Sequence, residues 1–223
     1  MSDMVVFGAG GRAGRAATAE ARARGHRVTA VVRDPDKHAG LATDDGVRLV
    51  RGDVTDAAGI AGLVRGHGSV VHAVSPFSGP EQGFAGLDPL FYVKAADALI
   101  RGLPEAGVTR LLVVGLFANL KAAGGHLVLD DPEAFPREIR PFAAAHTAGL
   151  DRLRTHGGAV DWLMLTPPAR LEADGPRTGG YRTGGDDVPE SPAAHLSYAD
   201  LAVALVDEHE RPTLHRTRVS VFN

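Results

Sequence analysis

Short apolar runs alternate along the chain with segments whose apolar residues recur at helical spacing. The apolar runs, several of them rich in valine, lie at residues 4–8, 26–35, 46–56, 68–76, 109–115, 159–168 and 218–222. Helices are predicted at residues 12–24, 88–102, 142–156 and 197–211. Strands that are apolar almost throughout are typical of a sheet covered on both faces. The alternation therefore predicts an α/β fold built on a doubly wound parallel sheet.

Three positions are expected to mark helix ends. Gly25 follows the first helix, where a C-terminal glycine is favoured. Asp34 precedes Pro35, the pattern of an N-cap followed by proline at the first helical position. Ser197 is a candidate N-cap of the last helix.

A single domain covering residues 1–223 is predicted, because 223 residues with 44% hydrophobic composition suit one core and show no boundary or repeat. Two segments, 116–141 and 169–195, lack periodicity. They follow the fifth and sixth strands, so we expect both at the carboxyl edge of the sheet, where such folds bind ligands. We interpret them as the substrate-side segments. The sequence leaves a monomer and a homodimer as alternatives.

Composition and charge exclude several classes of partner. The net charge of -3 gives no electrostatic basis for binding nucleic acid or an anionic membrane. The chain has no cysteine, which excludes disulfides and thiolate chemistry and favours a cytoplasmic protein. We expect no signal peptide and no membrane helix. The 10 histidines show no metal-ligand spacing, so no metal site is predicted.

The stretch "VVFGAGGRAGR", residues 5–15, follows the first predicted strand and opens the first helix. Gly8, Gly11 and Gly14 are spaced G-x-x-G-x-x-G, with Gly10 as an extra glycine. Glycines allow a tight turn and let a pyrophosphate approach the N–H groups at the helix N-terminus. The position predicts a dinucleotide site; the alternative is a glycine turn that only packs a helix on a sheet.

Arg33 stands at the end of the second strand, where an acidic residue would bind the ribose 2′-hydroxyl of NAD. An arginine there suits a 2′-phosphate instead, and Arg12 in the glycine loop is placed to bind the same group. The two arginines favour NADP(H) over NAD(H). The alternative for Arg33 is a solvated charge at a strand end.

Further cofactor contacts are expected after the third and fourth strands. Asp53 in "RGDVTD" is a candidate acceptor for the adenine amino group, or alternatively a turn-forming residue. The small side chains of "HAVSP" suit the ribose and nicotinamide. The predicted cofactor-binding residues are Gly8, Gly10, Gly11, Arg12, Ala13, Gly14, Arg33, Asp53, Val54, Ala73, Val74 and Ser75.

Several segments together resemble the NmrA-like, atypical short-chain dehydrogenase/reductase family. They are "VVFGAGGRAGR", "ARGHRVTAVVRDP", "VRGDVTD", "GVTRLLVVG", "DWLMLTPP", "GPRTGGYRTGGDD" and "SYADLAVALVDE". The branch it resembles most is labelled NAD(P)H-flavin reductase. The resemblance implies a Rossmann fold and an NAD(P) cofactor. It leaves the substrate open, since the family includes flavin, biliverdin and isoflavone-type reductases as well as redox sensors.

The chain departs from the family pattern where catalysis is expected. The larger superfamily uses Tyr-x-x-x-Lys, which is absent here; the matching site is Phe142-x-x-x-His146. The family's serine or threonine after the fifth strand aligns with Asn119. The flavin/biliverdin reductase branch has Pro-Pro-His after the sixth strand, where this chain has Pro167-Pro168-Ala169.

The remaining candidates for chemistry are few. His146 is a candidate general acid or ribose contact, since its ordinary pKa lies in the useful range; the alternative is a solvated helix-face histidine. Ser75 and Asn119 are candidates for contact with substrate or cofactor. His72 is more typical of a core position. Phenylalanines that could line a pocket, or pack as ordinary core, are Phe77, Phe84, Phe117, Phe135 and Phe142.

Three functions remain open from the sequence. The first is an NADPH-dependent reductase that transfers hydride to a small apolar acceptor such as a flavin or quinone, which needs no dedicated proton donor. The second is a non-catalytic NADP(H)-binding sensor or partner protein. The third is a non-redox enzyme, such as an isomerase or cyclase, that retains the cofactor site.

Overall fold

A computed structural model describes residues 3–42, 45–76, 86–131 and 135–223. The strands of the main sheet are β1 (Met4–Phe7), β2 (Val28–Val32), β3 (Val47–Arg51), β4 (Ser69–His72), β5 (Arg110–Val114), β6 (Asp161–Thr166), β8 (Arg182–Thr183) and β10 (Thr217–Phe222). A small second sheet contains β7 (Arg170–Glu172) and β9 (His195–Ser197). The helices are α1 (Arg12–Ala23), α2 (Ala57–Val64), α3 (Phe91–Glu105), α4 (Arg140–His156) and α5 (Tyr198–Glu210). None of these helices is long and apolar enough to cross a membrane.

The main sheet has the strand order β3-β2-β1-β4-β5-β6-β10-β8. The pairs from β3 to β10 are parallel, and only the edge strand β8 runs antiparallel to its neighbour. Strand order reverses between β1 and β4, where Phe7 lies opposite His72. The predicted doubly wound fold is confirmed, and the crevice beside this reversal is where such sheets bind ligands.

The two faces of the sheet are covered by different helices. Val6 and the strand residues that point to the same face of the sheet pack against α1 and α5. Phe7 and the strand residues that point to the opposite face pack against α2, α3 and α4. Because successive residues of a strand point to opposite faces, each apolar run supplies both cores.

The predictions for the helix ends at Gly25 and Ser197 are confirmed. Gly25 has φ +85° and follows α1, and the N–H of His26 donates to Ala21 O at 3.0 Å, which closes a Schellman-type end. The Ser197 hydroxyl accepts from the N–H of Asp200 and caps α5.

The prediction for Asp34 is confirmed for its position and wrong for its side chain. Asp34 stands at the N-cap of a 3-10 helix, Pro35–Leu41, which begins with the predicted proline and departs from helical angles at His38. The Asp34 side chain makes no capping hydrogen bond. The Asp34 carboxylate pairs with Lys37 at 3.4 Å instead. A helix not predicted, α2, follows Asp56, which caps it by accepting from Ala58 N.

The two long segments pair with each other, since the N–H of Lys121 donates to Asp186 O and the N–H of Val188 donates to Lys121 O. Part of segment 169–195 does not lie where it was expected. Arg177 forms two hydrogen bonds with Glu20 on α1, and the Tyr181 hydroxyl donates to Asp207 on α5. Glu20 is only 5% exposed, so its buried carboxylate requires cationic partners, and this requirement fixes residues 177–181 on the two helices.

Gly149 sets the spacing between α4 and α3. A β-carbon there would lie 2.6 Å from Cβ of Tyr92 and 3.1 Å from its backbone carbonyl. We expect Gly149→Ala to lower the free energy of unfolding by about 1–3 kcal/mol, because overpacking outweighs the better helix propensity of alanine. Chemical denaturation measures the change.

Gly62→Ala in α2 is the matched control, because a β-carbon at Gly62 meets nothing within 4 Å. Relief of the glycine entropy cost is expected to stabilise that variant by up to about 1 kcal/mol. Equal behaviour of the two alanine variants would contradict the packing account.

Candidate functional site

The turn after β1 requires glycine at two positions for reasons of packing. Gly8 has φ +82°, and a β-carbon there would lie 2.5 Å from Ala73 O at the end of β4. A β-carbon at Gly14 would overlap the carbonyl oxygen of Gly8. The turn, the start of α1 and the end of β4 therefore touch through backbone alone.

Gly11 differs from these two glycines. It is exposed, and the nearest atom to a β-carbon there would be Gly8 O at 3.4 Å. It stands at the N-cap of α1, where no side chain caps the helix. The backbone N–H groups of the first turn, which includes Arg12 and Ala13, therefore have no side-chain cap and lie at the positive end of the helix dipole. This arrangement fits a pyrophosphate approaching beside Gly11.

Basic groups surround this turn. Arg12 and Arg33 are exposed, and neither forms an ion pair within the described ranges of the chain. Arg15 donates from Nε to Gly10 O at 2.9 Å. The Arg51 guanidinium donates to Arg33 O at 3.0 Å and so fixes the end of β2.

His38 is a residue of this site that sequence reasoning missed. A β-carbon at Gly10 would lie 2.5 Å from the His38 ring, and His38 Nδ1 lies 3.3 Å from the Arg15 guanidinium. The sequence feature that could have indicated His38 is the pair Lys37-His38, which follows Arg33 within one short turn. These groups place positive charge and a polar ring beside the glycine loop.

Asp53 forms a turn, which was the alternative to its predicted contact with adenine. Its Oδ1 accepts from both the N–H and the hydroxyl of Thr55, at 2.8 and 2.7 Å. The residue is exposed, so the adenine contact stays a prediction. Val54 is 3% exposed and packs in the core, which leaves only its backbone for the predicted cofactor contact.

The end of β4 carries the residues predicted to lie near the nicotinamide. The N–H of Ala73 donates to Phe7 O at 3.0 Å, which continues the pairing of β4 with β1 beyond the strand. Val74 is half-buried and Ser75 is exposed. Burial raises the pKa of the nearby Tyr92 hydroxyl, and the Ser75 side chain acts against that rise.

Tyr92, which had no predicted role, is the centre of a buried aromatic cluster beside this strand end. Its ring centroid lies 4.4 Å from that of His146, 6.0 Å from Phe142 and 6.3 Å from His72. A cavity of about 10 Å³ is lined by Tyr92, His146 and His72 together with apolar residues of α3, β5, α4 and β6. No sequence motif joins Tyr92 to His146, because they stand on different helices.

Burial determines the protonation of the cluster. Desolvation lowers the pKa of His146 to about 4 and that of His72 to about 3, and it raises the pKa of Tyr92 above its usual range. Both imidazoles and the phenol are therefore neutral at pH 7. His146 is not a solvated histidine, and a neutral imidazole does not fit the general acid expected of it. Its contact with the cofactor ribose stays a prediction.

Asn119 lies inside the protein and is held there by hydrogen bonds. It is 0% exposed, and its side-chain amide pairs with the Thr147 hydroxyl at 2.9 Å. Its backbone oxygen accepts from Arg218. Asn119 thus ties the loop after β5 to α4, and its contact with a substrate stays a prediction.

Three of the predicted pocket phenylalanines lie in the described residues. Phe135 packs on a small cluster that includes Leu129 and Ala143, Phe142 contacts Tyr92, and Phe117 is half-buried. Phe77 and Phe84 lie outside the described residues.

Comparison with known proteins points to one cofactor class. A family described as NAD(P)H-binding matches residues 8–212. The uncharacterised protein YwnB of Bacillus subtilis strain 168 is 34% identical over 222 residues, which cover 98% of this chain and 97% of YwnB.

Solved structures give the same fold. SP1627 of Streptococcus pneumoniae TIGR4, provisionally assigned as an NADH-flavin reductase, is 29% identical with a TM-score of 0.82, covering 100% of both chains. A Bacteroides thetaiotaomicron protein provisionally assigned as an epimerase is 30% identical with a TM-score of 0.84, covering 99% of this chain and 96% of that one.

Gly11→Ala and Gly14→Ala are expected to separate binding from packing at the glycine turn. Gly11→Ala keeps the unfolding temperature near that of the parent but weakens NAD(P)H binding at least 10-fold, because its methyl group enters the space of the pyrophosphate. Gly14→Ala lowers the unfolding temperature itself, because its β-carbon meets only backbone.

Thermal unfolding and cofactor titration of both variants measure these effects. If Gly11→Ala binds the cofactor as tightly as the parent does, the pyrophosphate does not bind at this turn.

Proposed function

Because this chain belongs to the NAD(P)H-binding family, we propose that it is an NADPH-dependent reductase that transfers hydride to a small apolar acceptor such as a flavin or quinone. When bound, the cofactor supplies the hydride with its electron pair. The observation that carries the proposal is the set of exposed basic groups around the uncapped N-terminus of α1.

The preference for NADPH rests on charge at the end of β2. Arg33 is exposed there, and Arg12 projects from the first turn of α1. Guanidinium groups bind phosphate with paired, charge-assisted hydrogen bonds, whereas the 2′-hydroxyl of NADH prefers a carboxylate acceptor. The carboxylate next to Arg33 in the chain, Asp34, is paired with Lys37 at 3.4 Å.

The class of acceptor rests on the protonation of the buried cluster. Burial leaves His72 and His146 unprotonated at pH 7 and makes the Tyr92 phenol a weaker acid. All three are also largely enclosed, so none is a ready proton donor to a substrate carbonyl. A flavin or quinone accepts hydride as such and takes its proton from water. The provisional assignment of the Streptococcus pneumoniae protein supports the same class of acceptor.

The enclosure of His72, His146 and Tyr92 among the described residues also favours a second candidate, a non-catalytic NADP(H)-binding sensor. A third, a non-redox isomerase or cyclase that keeps its cofactor, is supported by the provisional epimerase assignment of the Bacteroides thetaiotaomicron protein. The sensor binds NADPH but oxidises it with no acceptor, and the non-redox enzyme turns its substrate over without net change in the cofactor.

Oxidation of NADPH by the purified protein, with FMN or a simple quinone as acceptor, tests the reductase proposal. We expect loss of absorbance at the nicotinamide wavelength that depends on both protein and acceptor. Tight binding of NADPH with no oxidation by any acceptor would contradict the reductase and favour the other two candidates.

Arg33→Asp is expected to weaken NADPH binding by roughly 30-fold or more and NADH binding by less than about 3-fold, because it replaces the phosphate-binding charge by a repelling one. Titration with each cofactor gives the two affinities. Arg101→Asp, the same charge change on the exposed surface of α3, is the control and should alter neither. Equal losses for both cofactors in Arg33→Asp would overturn the 2′-phosphate assignment.

A further inference from the structure

The His38 ring lies against the glycine turn, although it belongs to the turn after β2. Residues Pro35–Leu41 form a 3-10 helix that departs from helical angles at His38, where φ is -128°. A β-carbon on Gly10 would lie 2.5 Å from both Cε1 and Nε2 of the His38 ring. The ring therefore occupies the space that a side chain at position 10 would need, and glycine there allows its close approach.

Arg15 fixes the orientation of this ring. Its Nε atom donates to Gly10 O at 2.9 Å, and its Nη2 atom lies 3.3 Å from His38 Nδ1. A guanidinium group carries only donors, so Nδ1 accepts in this contact and the ring proton is assigned to Nε2. Arg15 thereby connects the carbonyl of the glycine turn to the ring, and the Nε2 edge of the ring lies beside Gly10.

The Nε2–H group of His38 has no hydrogen-bond partner within the parts of the chain that the structure describes. The ring is half-buried, whereas Arg12 in the glycine turn and Arg33 at the end of β2 are exposed. Because the turn after β2 folds back onto Gly10, His38 lies between the two segments that carry these arginines. An N–H donor without a partner therefore stands beside the groups proposed to bind a phosphate.

We infer that His38 is a specificity-determining residue whose Nε2–H group donates a hydrogen bond to the 2′-phosphate of NADPH, in the orientation that Arg15 holds. The inference deepens the proposed function and rests on its cofactor. A phosphate monoester offers three terminal oxygens, so it accepts from two guanidinium groups and an imidazole at once. NADH carries a hydroxyl in that place, and its uncharged oxygen is a weaker acceptor, so the His38 contact favours NADPH.

Titration with NADPH and with NADH tests the inference, because the two cofactors differ only in the 2′-phosphate. The ratio of the NADH dissociation constant to that of NADPH measures what this phosphate contributes, and effects on the rest of the cofactor cancel. We expect His38→Ala to reduce the ratio by roughly 5-fold to 20-fold, the loss of one hydrogen bond to a charged group, while NADH binding changes by less than about 2-fold. His38→Gln, whose amide retains an N–H donor, should keep most of the ratio.

Gly10→Ala tests the same contact from the side of the glycine turn. Gly10 does not have a positive φ, so alanine brings no backbone strain, but its β-carbon displaces the ring of His38. We expect Gly10→Ala to lower the ratio as His38→Ala does. Arg15→Ala should also lower it, since the ring loses its orientation. Neither change should reduce the ratio further in a protein that already carries His38→Ala, because all three act through one ring.

His156→Ala is the matched control. His156 also lies beside an arginine, with its Nε2 3.4 Å from the Arg152 guanidinium, but at the C-terminal end of α4. This variant should leave the ratio unchanged. Unfolding temperatures show whether each variant is folded, and Gly10→Ala tests the contact with the histidine retained if His38→Ala is unstable.

An unchanged ratio in His38→Ala, equal losses for both cofactors, or multiplied losses in the double variants would overturn the inference. If Arg33→Asp lowers the ratio and His38→Ala does not, the proposed preference for NADPH stands and the role of His38 fails. If the ratio falls as expected but NADPH is oxidised by no acceptor, the reductase proposal fails and the role of His38 stands.

Discussion

The close approach of three backbone segments at the Gly8 turn is the constraint on which the site depends. Gly8 lies against the carbonyl of Ala73, and Gly14 lies against the carbonyl of Gly8. With no side chains between them, β1, β4 and the start of α1 come together at the point where strand order reverses. The uncapped first turn of α1 is thereby held at the crevice, and Gly11 is left open beside it. The geometry that suits an anion at this turn is thus a result of packing.

The two long segments are held in place by buried polar groups that are paired. Asp200, 0% exposed at the start of α5, accepts from the N–H groups of Thr178 and Gly179 and from the Thr178 hydroxyl. Arg218 joins the segment after β5 to Asp186 in the other long segment. Breaking such pairs leaves a buried charge without a partner, which is costly. The long segments are therefore held as part of the fold.

The sequence predicted what depends on local pattern. Apolar runs identified the parallel strands, and Ser197 was correctly read as a cap because a cap needs only its own helix. The helix α2 was missed because Gly59 and Gly62 dilute its pattern. The burial of Asn119 was not predicted because it depends on Thr147, which is distant in sequence. Tyr92 was overlooked for the same reason, since its ring neighbours lie on α4 and in β4. Candidate residues next to one strand end can be found from local pattern, and clusters assembled from several elements cannot.

A crystal structure of the protein with bound NADP⁺ tests the central claim most directly. The account predicts pyrophosphate oxygens within hydrogen-bonding distance of the N–H groups in the first turn of α1 and beside Gly11. It predicts the 2′-phosphate between Arg12 and Arg33 and the nicotinamide next to Ser75. A cofactor bound away from the glycine turn, or one whose 2′-phosphate contacts neither arginine, would contradict it.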